Sequence, residues 1–367
     1  MLWVIPKGLR PEENQIYKKL FEVVEHRKKK NQGPPHIVVI TDIAKDVDDL
    51  VAMMLLKELH RLGLIVLEGF VANLKPENTR AALARGALNS LNLQNVPVAV
   101  GTDGTSNHYE VHDYEFNKCN FFPSGDDLKN IPQGSALLHR LCTKAKQEKR
   151  KLTFLLISSL RDIAEFASAA PDLMRDVTER IVFQGGYKVT ETFATDIPVQ
   201  LCIDMENSGH ALGPYTRYAQ TQMDLAFYKT ACEPNPKDRF QPFMDQKWYL
   251  ERKTSWCTTP HAPNERLPVG EEVVPYLTKL VAYDALAALG ASGDDILDHL
   301  GISLPINGKK PLHQIIGHFG KPAVLNSRGE VKQKAIPDNP DINTRAMSQA
   351  IQALVLGSLL ECMQNRN

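Results

Sequence analysis

The sequence predicts an α/β fold: a single doubly wound domain with a mostly parallel central sheet. Short apolar runs rich in β-branched residues, 36–40 (HIVVI), 64–71 (LIVLEGFV), 96–100 (VPVAV) and 152–157 (LTFLLI), alternate with stretches of helical periodicity. Strands buried on both faces under crossover helices have this pattern. The first run opens into a turn crowded with aspartates, and open α/β sheets place their ligands at the carboxyl ends of their strands.

From the N-terminus, residues 11–30 form an amphipathic helix with Ile16, Leu20, Val23 and Val24 on one face. This helix makes 1–35 an N-terminal helical extension ahead of an α/β domain over 36–367. The Arg27–Lys30 run reads as a solvated helix end whose charge suits the dipole. NQGPP (31–35) breaks the helix, and 36–40 is the first strand. Helices over 50–60 and 76–92 then flank strands over 64–71 and 96–100. Residues 101–134 read as one long loop, a length that usually signals function or flexibility. A helix over 135–147, a strand over 152–157, a helix over 161–170 and a strand over 181–183 resume the rhythm. From 185 to 264 the pattern blurs, and only 223–231 is clearly helical. Residues 279–289 begin or precede a helix, 310–335 suggest a hairpin around Asn326–Gly329, and 341–363 are a last long helix with Asp341 as N-cap.

Composition narrows the function classes. Hydrophobic residues at 43% and charged residues at 23% suit a globular protein and exclude a disordered chain, a collagen or a coiled coil. Lys+Arg and Asp+Glu are both 43, so the chain lacks the basic excess that non-specific nucleic-acid binding requires. Six scattered cysteines with no CxxC pair read as reduced, mostly buried thiols of a cytoplasmic protein. The N-terminus lacks the basic start and apolar stretch of a secretory signal, and no run of 18 apolar residues occurs, so no membrane partner is expected.

The chemistry centres on 36–55, HIVVITDIAKDVDDLVAMML. Asp42, Asp46, Asp48 and Asp49 crowd the turn between a buried strand and a helix. Capping and the helix dipole account for one or two acids in such a turn. Four repel one another, and a hard cation among them relieves the cost. Ca²⁺, which takes 6–8 oxygen ligands at about 2.3–2.6 Å, suits the cluster, with Mg²⁺ the next candidate.

The stretch VVITDIAKDVDD resembles the aspartate signature of the inosine–uridine-preferring nucleoside hydrolase family, usually written DxDPGxDD after the first strand. Asp42 falls on the first aspartate and Asp48-Asp49 on the last two. Ala44, Lys45 and Asp46 stand where the family has Asp, Pro and Gly. Further segments agree in order. Phe70-Val71-Ala72-Asn73 ends the second strand where the family has Gly-Asn, and 79–84 (TRAALA) and 96–101 (VPVAVG) resemble the family's next helix and third strand. Ser158–Ala164 is similar to GPLTNIA, Ile181–Gly186 to IVxMGG, and Tyr283–Ala287 to HDPLA.

The resemblance implies Ca²⁺-dependent hydrolysis of the N-glycosidic bond of a ribonucleoside or related N-riboside, by a homodimer or tetramer. Carried over position by position, the metal ligands are Asp49, the main-chain carbonyl of Arg161 and Asp284, with the fourth lost at Ala44. Asp42 is the first substitute for it, as ligand and as general base, and Asp46 the second. Asp48, Asn73 and Asp284 are candidate sugar or water contacts. Tyr283 takes the place of the histidine that donates a proton to the leaving base, with a pKa of about 10 in tyrosine. The family's sugar-binding ExN segment has no clear copy; 204–207 and 222–224 are the nearest. Asp162 reads as a helix cap, and Trp248, Tyr249 and Trp256 as base-stacking or core residues. His108, His112, His210 and His261 read as surface or packing residues. The departures at Ala44 and Tyr283 motivate an alternative, a non-hydrolytic or repurposed relative that binds a ligand or partner. A haloacid-dehalogenase-type phosphatase needs an aspartate at position 44 and is disfavoured.

Overall fold

In the computed structural model the described residues are 4–45, 47–104, 110–111, 115–116, 119–122, 131–183, 220–221, 223–233, 243–256, 269–277, 280–302 and 343–364. Five parallel strands make the central sheet: β1 (His36–Thr41), β2 (Val66–Ala72), β3 (Val98–Val100), β4 (Leu152–Leu156) and β5 (Thr178–Phe183). Their order is β3-β2-β1-β4-β5. The chain winds outward from β1 in one direction and from β4 in the other, so the topological switch point lies between these two strands. Register aligns the carboxyl ends. Thr41 pairs with Ala72, Ala72 with Val100, Ile40 with Leu156, and Leu156 with Phe183. Loops leaving all five strands therefore meet on one rim.

Strand alternation builds two cores. Val38 and Ile40 face α4 (Gly134–Gln147), α5 (Arg161–Ala169) and α6 (Pro171–Val177), with Leu138, Cys142, Ile163 and Val177 packed against them. Ile37 and Val39 face the larger core with α1 (Pro11–Lys29), α2 (Asp48–Arg61) and α3 (Glu77–Ser90). That core continues into α7 (Asp224–Ala231), α8 (Gln246–Trp256), a 3-10 turn (Gly270–Tyr276), α9 (Tyr283–Ala291), α10 (Asp294–His299) and α11 (Thr344–Gln364). A short antiparallel pair, β6 (Gln220–Thr221) with β7 (Leu280–Val281), leads into α9. Burial of α2 is almost complete because α9 and α11 cover it.

Several expectations need correction. Arg27 is not solvated. It is buried, forks onto Asp295 (2.6 and 2.7 Å) and donates to the carbonyls of Leu64 and Ser292, tying α1 to α10. β5 begins earlier than 181, and α6 and α8 arise where no helix was expected. Asn343 caps α11, its Oδ1 accepting from the amide of Ala346 (3.1 Å). Asp341 and the hairpin around Asn326–Gly329 lie outside the described residues. α11 is long and apolar enough to cross a membrane, and 61% of that apolar window is buried inside the fold. Cys142 and Cys232 are buried, and burial pushes the Cys142 thiol up to about 12.

Candidate metal centre

Thr41 ends β1 and is buried; its hydroxyl donates to Asp49 Oδ1. The chain then turns. The amide of Lys45 donates to the carbonyl of Asp42 (3.3 Å), and between them Ala44 takes φ 86°. A residue with a Cβ in that region costs on the order of 1–3 kcal/mol and persists only where its surroundings hold it. Val47, the N-cap of α2, supplies no side-chain cap, so the helix opens directly on Asp48 and Asp49. Both are buried. α9 opens in the same way: Ala282 gives no side-chain cap and Asp284, 1% exposed, stands in the first turn.

These two helix starts converge. Oxygens of Asp48, Asp49 and Asp284 all lie within 4.8 Å of one another. At an effective dielectric of about 20, each such pair of charges repels by roughly 3 kcal/mol. A helix N-terminus returns only about 0.3–1 kcal/mol per carboxylate. Dipoles alone do not offset the repulsion, which a proton or a cation among the three carboxylates would relieve. The donor set is wholly oxygen and buried, which fits a hard divalent ion.

The other predicted residues surround this triad. Asp42 is buried but is not one of the three; its Oδ2 lies 4.0 Å from the Lys45 ammonium. Asn73 follows β2 and is wholly buried. Its amide N–H donates to the carbonyl of Thr41 (2.9 Å), and its Nδ2 donates to the Ser159 carbonyl (2.9 Å) and to Asp162 Oδ2 (2.8 Å). Those bonds fix the amide and leave Oδ1 buried with no hydrogen-bond donor among the described residues. Arg161 opens α5, its guanidinium turned to Asp103 and Glu165 (both 2.7 Å). Tyr283, half-buried, precedes Asp284. Asp46, residues 204–207, Gln222 and the histidines at 108, 112, 210 and 261 lie outside the described residues. Trp248 and Tyr249 are buried core residues.

Sequence reasoning missed two residues here. Asp162 does not cap α5; its carboxylate crosses to Asn73 and to Thr102, whose amide (2.8 Å) and hydroxyl (2.9 Å) both donate to it. Burial pushes its carboxyl above the ordinary aspartate value, against the pull of those hydrogen bonds. Gly101 leaves the room: a Cβ there would lie 2.7 Å from Asn73 Cβ and 2.9 Å from Asp162 Oδ1. Arg80 is the second. It is fully buried and binds the carbonyls of the loops after β1 and β2. No local pattern marked it, since α3 carries Arg85 as well and nothing in TRAALA sets Arg80 apart.

No protein-family model and no curated protein matches the chain. Solved structures do. The effector protein XOO4466 aligns at 19% identity over 96% of this chain and 99% of its own, with a TM-score of 0.59. The type III effector XopQ, solved with adenosine diphosphate ribose, aligns at 17% over 96% and 99%, with a TM-score of 0.54. A purine-preferring ribonucleoside hydrolase from Gardnerella vaginalis aligns at 14% over 88% and 99%, with a TM-score of 0.52. The fold is nucleoside hydrolase-like. Within it, the acidic triad sits on the start of α2, just past the rim loop after β1, and on the start of α9.

Proposed function

We propose that this chain is a divalent-metal-dependent N-ribosyl hydrolase acting on a nucleoside or related N-riboside, with Ca²⁺ the favoured ion. The observation that carries the reading is the convergence of Asp48, Asp49 and Asp284, buried, from two helix starts on the rim of a nucleoside hydrolase-like sheet. Asp49 and Asp284 are the central oxygen donors, and the carbonyl of Arg161 and the carboxylate of Asp42 complete the set. A bound ion would lower the pKa of a water and orient it. Asp42 takes the proton of the attacking water. Asp48 and Asp284 through their carboxylates, and Asn73 through its Oδ1, accept from ribose hydroxyls as positive charge builds on an oxocarbenium-like sugar. Tyr283 offers its hydroxyl to the departing base. The resemblance adds a homo-oligomer working in the cytoplasm.

A second reading has support of its own. Ala44 removes a carboxylate from the signature, Lys45 places an ammonium 4.0 Å from Asp42, and two effectors share the fold, one solved with adenosine diphosphate ribose. On that reading the rim binds a riboside and does not cleave it.

Free ribose released from a nucleoside panel, with and without Ca²⁺, separates the two. Hydrolysis predicts Ca²⁺-dependent release that Asp42→Ala and Asp284→Asn each reduce by roughly two orders of magnitude or more, the scale of losing a general base. Adenosine diphosphate ribose bound without ribose release from any nucleoside would favour the second reading.

A further inference from the structure

Resting on the metal reading above, we propose that Arg80 is the positioning residue of the centre. Its guanidinium locks the left-handed turn after β1 and so sets where Asp42 and the start of α2, with Asp48 and Asp49, stand.

Arg80 lies in the first turn of α3 and is wholly buried. Nη1 donates to the carbonyls of both Asp42 and Ile43, each at 2.9 Å. Those two peptides immediately precede Ala44, the residue at φ 86°. Nε donates to the carbonyls of Leu74 (3.2 Å) and Lys75 (3.3 Å), and Nη2 donates to that of Lys75 (3.1 Å). One planar cation therefore joins the loop after β1 to the loop after β2. Glu115 accepts from Nη2 at 2.5 Å, and the ring of Phe116 lies 5.2 Å from the guanidinium carbon. Because the equally buried Glu115 neutralises it, Arg80 acts on the centre through geometry rather than through its field.

The turn needs such a hold. Ala44 relaxes if the carbonyls before it are free to rotate, and only three residues separate it from Asp48. A shift there is delivered to the helix start that carries two of the three converging carboxylates. Lysine has no fork to hold two carbonyls at once.

Ca²⁺ titration and amide hydrogen exchange on the full chain test the proposal, comparing Arg80→Gln, Arg80→Lys and Arg80→Gln with Ala44→Gly. Arg80→Gln is expected to weaken Ca²⁺ binding roughly 10–100-fold, the scale of losing a group that orients metal ligands. It also speeds exchange over 42–49 while β4 and α4 keep their protection. Ala44→Gly, which removes the left-handed cost, recovers part of both losses in that background. Should Arg80→Gln fail to fold, Arg80→Lys carries the same comparison. Unchanged affinity and exchange would overturn the lock. So would a loss that Ala44→Gly leaves uncorrected while exchange rises across the whole sheet, the mark of core support alone. If the unsubstituted chain binds no Ca²⁺, the metal reading falls and exchange over 42–49 decides the lock by itself.

Discussion

Asp162 holds three donors on two oxygens: the Thr102 amide on one, and the Asn73 amide and the Thr102 hydroxyl on the other. An asparagine there turns an NH₂ group toward at least one of them. Asp162→Asn is therefore expected to cost about 1–3 kcal/mol, the penalty of a buried donor left unsatisfied. Urea denaturation measures this, and an unchanged midpoint would show that the rim does not depend on this carboxylate. At this scale the sequence was uneven. Asp48 and Asp49 stood out because four acids crowd one strand–helix turn, more than capping uses, and Asp284 only through the family resemblance at 283–287. Asp162 was read as a cap because local spacing does not reveal that Asn73, 89 residues away, lies within 2.8 Å. Arg80 was silent for the same reason: an arginine near a helix start is ordinarily a surface residue, and its burial comes from the pair of loops it holds.

The packing of α1, α2 and α11 is ordered by a buried polar junction. Tyr17 donates to Glu58 (2.6 Å), Arg61 forks onto the same carboxylate (2.6 and 2.9 Å), and Lys57 bridges Glu58 and Glu361. Tyr17 and Glu58 are fully buried. Gly357 of α11 makes the approach possible, since a Cβ there would fall 1.9 Å from the tyrosine oxygen. Burial pushes the Glu58 carboxyl up, but the Arg61 hydrogen bond, the charges of Lys57 and Arg61 and the Tyr17 hydroxyl outweigh it, and the net shift is downward from 4.5. A carboxylate lowered by folding contributes stability that is complete above its unfolded value and lost as pH falls through the folded one. Thermal unfolding between about pH 3 and 6 is thus expected to lose stability on acidification. Glu58→Gln should flatten that limb and, by taking the carboxylate from Arg61 while Lys57 keeps Glu361, lower stability at neutral pH by about 1–3 kcal/mol. An acid limb unchanged by the substitution would show that this junction does not set the pH response. Sequence periodicity found α1, α2 and α11 because their apolar stripes are long. It missed α6, only seven residues, and α8, whose QKWYLERKTSW carries no amphipathic period.

At the scale of the molecule, five parallel strands end in register, and the switch point between β1 and β4 gathers the loops that carry Asp42, Asn73 and Arg161 on one rim. The parallel sheet was legible because strands covered on both faces need continuous apolar runs. The arrival of α9 on that rim was marked only by the resemblance at 283–287, since it depends on a crossing that no local pattern encodes. We propose that Asp49 from α2 and Asp284 from α9 hold one divalent ion, with the Asp48 carboxylate beside it. Calorimetric titration of the full chain with Ca²⁺ tests it most directly, beside Asp49→Asn and Asp284→Asn. Saturable binding by the unsubstituted chain is expected, weakened by roughly 100-fold or more in either variant as a charged donor is lost. Absence of Ca²⁺ and Mg²⁺ binding, or affinity unaltered by Asp284→Asn, would contradict it.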